Sequence, residues 1–373
     1  MDTNLRRPRL QSLAVVACGA LLVGACASTP PAPPAVSPPA TSAATSQKNA
    51  IGRWHEADFD ALLGTIEPGQ TVVVEVGADW CGPCNQLAWE VLETPRGGAM
   101  LTNSAGLRVD FETPEGQQLA GRFSVISLPT TLVINHAGRE LGRVEGYTTA
   151  DEYVEAVRDA QRPIDNLKNL ETALAGDPHN PTLRLDLARA KLFAGQRDEA
   201  TSALEELART DGVPIEIAAE ATRIQGRWLL RVRHDAAAAR PFFALAAARF
   251  QKEPKHFAHF TYWTATATVA AGRRDEAAEV MHAWLKASPG DVRALSYSLE
   301  FFVHNKYPSA LSGELLSQLV ALDGWDADRR YTQARILYAG GDLQGAIEAS
   351  RAAETLEPEN ALYRNYAARL AAP

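Results

Sequence analysis

The chain is poor in cysteine, with four among 373 residues. Cys18 lies inside an apolar N-terminal segment and Cys26 stands at its end, so Cys81 and Cys84 are the only cysteines beyond it. This scarcity excludes a framework of structural disulfides, and a body of this size must be stabilised by its apolar core. If Cys81 and Cys84 pair within the chain beyond Cys26, they pair with each other.

Positive charge is also scarce. The formal net charge is −8, and it becomes −10 once the three arginines and one aspartate of residues 1–25 are removed. An acidic body disfavours binding to nucleic acid. The sequence contains no phosphate-binding loop and no Ser/His/Asp arrangement. His256 and His259 stand three residues apart without further ligands nearby, so we expect neither a metal site nor a cofactor.

The N-terminus has the pattern of a secretory signal. Three arginines precede an apolar run from Leu10 to Ala25 that is too short to span a bilayer comfortably. Residues 22–26, LVGAC, resemble a bacterial lipobox, in which the cysteine becomes the lipidated first residue. This resemblance predicts a signal peptide over residues 1–25 and lipidation of Cys26. Ordinary cleavage near Gly24 and Ala25 is the alternative.

Residues 26–51 form a predicted linker made almost entirely of alanine, proline, serine and threonine. Such a segment favours an extended conformation and has too few apolar side chains to bury a core. We therefore expect a spacer between a lipid anchor and a globular body on the periplasmic side of a bacterial cell envelope. Ala27 follows the cysteine, and by resemblance to enterobacterial sorting this favours the outer membrane.

Residues 52–161 predict a mixed α/β domain. Thr71–Val76 is a β-branched run typical of a buried central strand. The sequence WCGPC follows it, and a C-x-x-C between a strand and a helix is typical of a thiol–disulfide redox site. The remaining predicted elements are a helix from about Cys84 to Leu92, a strand at Leu107–Phe111, a helix at Glu115–Phe123, strands at Thr130–Ile134 and Glu140–Glu145, and a helix at Asp151–Gln161.

This order and these motifs resemble the thioredoxin superfamily. WCGPC, residues 80–84, is the thioredoxin active-site sequence, and Val125–Thr130 is similar to the family's cis-proline loop. Gly146 resembles a glycine on the substrate-facing rim. Asp79-Trp80 and the Leu-Pro-Thr triplet, residues 128–130, look more like the C-terminal domain of the interchange protein DsbD. The resemblance implies an α/β thioredoxin fold over residues 52–161.

Position along the chain suggests the roles of the site residues. Cys81 at a helix N-terminus would be stabilised as a nucleophilic thiolate, and Cys84, one turn later, would resolve the mixed disulfide. The resemblance implies that Pro129 is cis and presents the backbone of Leu128 to a client strand; an ordinary trans loop proline is the alternative. Trp80, Gly82, Pro83, Thr130 and Gly146 are predicted to support this site.

Glu75 stands six residues before Cys81, where thioredoxins carry a buried aspartate. An acid in an apolar strand should have a raised pKa, which suits a base that takes the proton from the resolving thiol. An edge or surface-facing glutamate is the alternative. Three further residues depart from the family pattern: Gly77 replaces a tryptophan, Asn85 a lysine and Trp89 the proline that kinks the active-site helix.

Residues 163–373 predict an all-α domain of tetratricopeptide-type repeats. Aligning the alanine after each predicted turn gives Ala200, Ala237, Ala277, Ala310 and Ala346, a spacing close to the repeat length of about 34 residues. Three of these units match the repeat well, and the two between them are degenerate. An irregular helical bundle is the alternative. Such repeats present a concave groove for a protein partner. Tyr262, Trp263 and Trp325 are candidates to line that groove, but aromatic residues at helical spacing more often belong to the core.

The leading interpretation is an exported, lipid-anchored reductase of protein disulfides. Its expected partners are client proteins with cysteines, a DsbD-like membrane protein as electron donor, and a protein bound to the repeats. A disulfide oxidase or isomerase is the first alternative, because a C-x-x-C pair runs in either direction. A repeat-based assembly protein with an auxiliary redox domain is the second.

Overall fold

The computed structural model describes residues 52–55, 58–162 and 166–371. The predicted signal peptide, the lipidation of Cys26 and the predicted linker at 26–51 lie outside these residues. No helix in the described ranges is both long and apolar enough to cross a membrane.

Five strands form one mixed sheet in the order β1-β3-β2-β4-β5. β2 lies at the centre, parallel to β3 and antiparallel to β4. Its valines at 72, 73, 74 and 76 are fully buried and alternate between the hydrophobic cores on the two faces of the sheet. The strands are β1 Trp54–His55, β2 Thr71–Gly77, β3 Ser104–Asp110, β4 Thr130–Asn135 and β5 Glu140–Glu145.

Helices cover both faces of this sheet. Side-chain caps fix the start of several of them, since Asp58, Thr113 and Thr149 each accept a hydrogen bond from a backbone N–H of the first turn. The helices are α1 Phe59–Leu63, α2 Gly82–Leu87, α3 Pro95–Met100, α4 Pro114–Phe123 and α5 Ala150–Ala160.

Two boundaries in this domain differ from the prediction. β3 begins at Ser104 and ends at Asp110, because the small residues at 104–106, which have weak strand preference, pair with the start of β2. The active-site helix begins at Gly82 and continues from α2 as a π-helical turn, Ala88–Leu92. That turn contains Trp89, at the predicted kink position, and a π turn is another recognised cause of a bend.

The rest of the described chain is helical, as predicted. Ala188, Ala265 and Ala334 are buried where paired helices approach closely. The helices are α6 Asn166–Gly176, α7 Pro181–Phe193, α8 Arg197–Arg209, α9 Ile215–Arg227, α10 Ala236–Arg249, α11 Pro254–Ala270, α12 Arg274–Ala287, α13 Val292–His304, α14 Ser309–Asp323, α15 Ala327–Ala339, α16 Leu343–Leu356 and α17 Ala361–Ala371; α9 continues as a π turn, Trp228–Val232.

The two degenerate repeats differ from the other three in the surroundings of the aligned alanine. Ala200, Ala277 and Ala346 are buried, but Ala237 and Ala310 are exposed. The small buried residues of those two repeats lie two positions later, at Ala239 and Ser312. In the first case the π turn lengthens the preceding helix to Val232, and in the second Pro308 sets the start of α14. Both features move the second helix along the sequence.

The repeats pack against the sheet domain through the first helix of several pairs. Ile126, in the loop before β4, is buried in the core of the first repeats beside Leu192 and Trp228. Arg189 of α7 pairs with Glu145 of β5. At the other end, Trp89 packs against a buried cluster of the last repeats that contains Leu362 and Tyr363 of α17. The repeats therefore contact the loop before β4, the strand β5 and the π turn that follows the active-site helix.

Candidate redox site

Cys81 and Cys84 form a disulfide at the start of α2. Cys81 is the cap residue of this helix, and its Sγ accepts a hydrogen bond from the backbone N–H of Cys84 at 3.2 Å. Gly82 and Pro83 form the first positions of the helix. Once the disulfide is reduced, this N–H and the helix dipole favour the charged form of the Cys81 sulfur.

The loop before β4 lies against the cysteine pair. The Leu128–Pro129 peptide bond is cis, and Leu128 packs on a small cluster that contains both cysteines. Thr130 is buried and its hydroxyl donates to the carbonyl of Ser127 at 2.8 Å. Gly146 has a positive φ of 81°, and its N–H donates to the Pro129 carbonyl at 2.8 Å. The predicted loop residues are thus linked to one another beside the disulfide.

Glu75 lies on the central strand and is 3% exposed, which excludes the surface-facing alternative. Its Oε2 is 3.8 Å from Nε of Arg108, whereas its Oε1 has no hydrogen-bond partner among the described residues. Burial raises the pKa of Glu75 to about 7, an effect that Arg108 opposes and Asp110 reinforces. A carboxyl group with this pKa can accept or release a proton near neutral pH.

Gly77 makes room for that carboxyl group beside Cys84. A Cβ at position 77 would lie 2.5 Å from Glu75 Oε1 and 3.3 Å from Cys84 Cβ, so both groups border the same space. A cavity of about 310 Å³ lined by Glu75, Cys84 and Arg108 opens there. The replacement of the family's tryptophan by Gly77 therefore accompanies the longer acid at position 75.

Substituting Gly77 with alanine is expected to displace the Glu75 carboxyl group and to slow the resolving step about tenfold or more, since small misplacements of a catalytic group are costly. The free energy of unfolding should change by less than about 1 kcal/mol, because the atom that must move is the end of a flexible side chain. Stopped-flow exchange and urea denaturation measure the two quantities. Gly121→Ala, at a helical glycine whose added Cβ meets nothing within 4 Å, is the control, and equal rates in both variants would contradict this role.

The repeats reach the cysteine pair through Trp80. Nε1 of Trp80 donates to Glu112 at 3.0 Å, and its ring lies 4.5 Å from the ring of His304 on α13. The neighbouring loop receives a hydrogen bond from the repeats as well, from Arg231 Nη1 to the Ile126 carbonyl at 3.0 Å. His304 and Arg231 had no sequence signal of a role here, because the motif contains neither residue and only folding brings them close.

The other singled-out residues of the repeats lie in different surroundings. Trp263 is 6% exposed and belongs to a repeat core, Tyr262 is partly buried, and Trp325 is exposed and stacks with Arg330. His256 is buried against Phe250 with its Nε2 at 3.3 Å from Glu216. In the described part of the chain, no group of three or more potential ligands is arranged to hold a metal ion.

Comparison with known proteins agrees with this geometry. The profile of the thioredoxin-like domain matches residues 59–161, and that of the tetratricopeptide repeat matches residues 157–219. A thioredoxin of Echinococcus granulosus is 33% identical over 96 residues, which are 26% of this chain and 83% of that protein.

Two longer relatives match over a smaller share of their length. The thiol:disulfide interchange protein DsbD of Haemophilus ducreyi is 29% identical over 94 residues, 24% of this chain and 16% of that protein. A protein disulfide-isomerase of Datisca glomerata is 26% identical over 159 residues, 41% of this chain and 30% of that protein. The cysteine pair and these relatives support the assignment of the general activity of a thiol–disulfide oxidoreductase. The chain belongs to the thioredoxin family through its α/β domain, which continues into tetratricopeptide repeats.

Proposed function

We propose that this protein is a reductase of disulfides in client proteins, acting on the periplasmic side of a bacterial cell envelope. The observation that carries the proposal is the arrangement around α2: the Cys81 sulfur accepts a backbone N–H, and the Glu75 carboxyl group borders the same space as Cys84. One sulfur is thereby prepared for attack and the other for deprotonation.

In the first step, the Cys81 thiolate attacks one sulfur of a client disulfide. A Cys81–client disulfide forms, the client's sulfur–sulfur bond breaks, and the other client sulfur leaves as a thiolate that takes a proton from water. The backbone beside cis-Pro129 supports a client strand during this step, because main-chain pairing accepts many sequences.

In the second step, the Glu75 carboxylate takes the proton of the Cys84 thiol, and the resulting thiolate attacks the Cys81 sulfur. The Cys81–Cys84 disulfide forms and the second client sulfur leaves as a thiolate. Two electrons have then moved from the protein to the client. Each cycle therefore requires a dithiol donor, for which we propose a DsbD-like membrane protein; the chemistry itself requires no metal or organic cofactor.

The compartment and the anchor belong to the same proposal. The lipobox-like sequence supports lipidation at Cys26, and the proline-rich linker would hold the body away from a membrane, with the outer membrane favoured. The repeats are proposed to bind a protein partner.

The reduction potential of the Cys81–Cys84 pair tests the direction of electron flow. A reductase is expected to have a value near that of thioredoxin, about −270 mV, rather than that of DsbA, about −120 mV. Equilibration in thiol/disulfide buffers followed by alkylation and mass spectrometry measures it. A value near −120 mV would favour an oxidase and would contradict the proposal.

A further inference from the structure

Three arginines form a row on one face of the helix that begins the second repeat. Arg223 and Arg227 lie on α9 and Arg231 lies in the π turn that follows, and a spacing of four residues puts them on one face. The guanidinium group of Arg231 lies 5.7 Å from the ring of Phe111, which packs on the cluster of both cysteines. One end of the row, at Arg231, therefore lies beside the redox site.

The charge of this row is poorly neutralised. Arg223 pairs with Glu220 of its own helix. Among the described residues, Arg227 and Arg231 form no ion pair: Arg227 lies 4.9 Å from the ring of Trp263, and its buried Nε has no hydrogen-bond partner. Arg231 donates only to the neutral carbonyl of Ile126. Unpaired cations in a poorly hydrated place lower the stability of the folded protein, so a ligand that supplies the missing negative charge would be bound favourably.

For Arg227 and Arg231, burial and a neighbouring arginine outweigh the attraction of the nearby carboxylates of Glu145 and Glu112. Burial, followed by a neighbouring arginine, lowers the pKa of Arg227 to about 10 and that of Arg231 to about 9. Burial, followed by Arg227 and Arg223, lowers the pKa of His259 to about 2. The Arg223 side chain is nevertheless 21% exposed, and Arg227 and Arg231 are only partly buried. Part of each of the three side chains is therefore open to a ligand.

We propose that this row binds the carboxylates of an acidic client segment that flanks the client's reactive cysteine. The inference rests on the proposed function, since it names the class of client. At 1.5 Å per residue the row spans about 12 Å, the length of about four residues of extended peptide. Arginine forks match carboxylates in a bidentate manner. The chain's own residues 27–50 contain no acidic residue and are a poor match for the row.

Binding is tested first without any redox chemistry. Fluorescence anisotropy of the full-length protein would compare two labelled peptides in which the cysteine is replaced by serine and four flanking residues are all glutamate or all glutamine. We expect the glutamate peptide to bind at least tenfold more tightly, and its affinity to fall with added salt. Arg227→Gln should remove this preference and Arg227→Lys should keep most of it. Arg209→Gln, at a side chain that is 75% exposed, is the charge-matched control and should keep all of it.

Exchange is measured next, with cysteine versions of both peptides bearing a chromogenic thiol as a mixed disulfide. The reduced protein should release the chromogenic thiol from the glutamate peptide about tenfold faster than from the glutamine peptide, and Arg227→Gln should abolish that ratio. The melting temperature of Arg227→Gln should equal or exceed that of the wild type, because the variant removes an unpaired, poorly hydrated charge.

The outcomes separate this inference from the proposed function. Equal binding and equal exchange of the two peptides would overturn the inference and leave the reductase proposal standing. Selective binding without exchange of either peptide would overturn the reductase proposal and support the docking site. A wild-type dimer that dissociates in Arg227→Gln, detected by light scattering, would assign the row to a second copy of this chain and overturn the inference.

Discussion

Replacing Cys84 with alanine is expected to leave clients covalently attached to Cys81. The described residues contain only these two cysteines, and they form a disulfide with each other, so Cys84 is the thiol placed to resolve the adduct. Steady-state turnover should fall about 10³-fold or more, because an external thiol lacks the high effective concentration of an intramolecular one. Non-reducing electrophoresis and mass spectrometry of the adducts measure this.

The matched control is the Cys81→Ala/Cys84→Ala double variant, which retains the fold's other features but has neither sulfur. It should form no adduct. Adducts of equal amount in both variants would show that another group reacts with clients. Absence of any adduct in Cys84→Ala would contradict the assignment of Cys81 as the nucleophile.

Replacing Glu75 with glutamine is expected to change both stability and rate in a pH-dependent manner. The pKa of Glu75 in the folded protein is about 7, above its ordinary value of 4.5, so the folded state holds a proton that the unfolded state has released. Stability is therefore lost as the pH rises from about 4.5 to 7, and by pH 8 the buried charge costs about 3 kcal/mol. The variant should gain that amount at pH 8 and nothing at pH 4.

Urea denaturation of the oxidised protein at several pH values measures this difference. The control is Glu93→Gln, at an exposed partner of Arg108, which should change the free energy of unfolding by less than about 1 kcal/mol. An unfolding free energy of Glu75→Gln that follows the wild type at every pH would contradict the raised pKa.

The same variant tests the proposed proton transfer. General bases contribute roughly 10²- to 10⁴-fold, so the resolving step of Glu75→Gln should slow by at least about 10²-fold near neutral pH. The rate of the wild type should rise through an inflection near pH 7, and that inflection should vanish in the variant. An unchanged pH–rate profile would show that Glu75 is a stability cost without a role in exchange.

Glu75 and Arg227 are both charged groups that lower the stability of the folded protein. A buried carboxyl group lowers stability at the pH at which it is charged, and the unpaired Arg227 does so at any ordinary pH. The Glu75 carboxyl group borders the same space as Cys84, and Arg227 lies one helical turn from Arg231, which contacts the loop beside the cysteine pair. Residues that break a local rule for stability are expected where a protein acts on a ligand.

Much of the sheet domain was predictable because its signals are local. The β-branched run of β2 and the WCGPC sequence place a cysteine pair after a central strand. The repeat spacing predicted paired helices. The start of β3 was missed because its small residues pair through backbone hydrogen bonds. In the two degenerate repeats the second helix begins after a π turn and after Pro308, which the repeat spacing does not reveal.

The sequence by itself determined the thiol–disulfide chemistry of this protein. Cys81, Pro83 and Cys84 stand within four residues at the start of one helix, so their spacing along the chain already places the two sulfurs together. Only the tertiary structure decided what surrounds that pair. The ring of Trp80 contacts the ring of His304, and Arg231 donates a hydrogen bond to the Ile126 carbonyl, because packing of the repeat helices brings together residues that are far apart in the chain. Such contacts depend on the summed burial of many side chains, so no local sequence pattern predicts them.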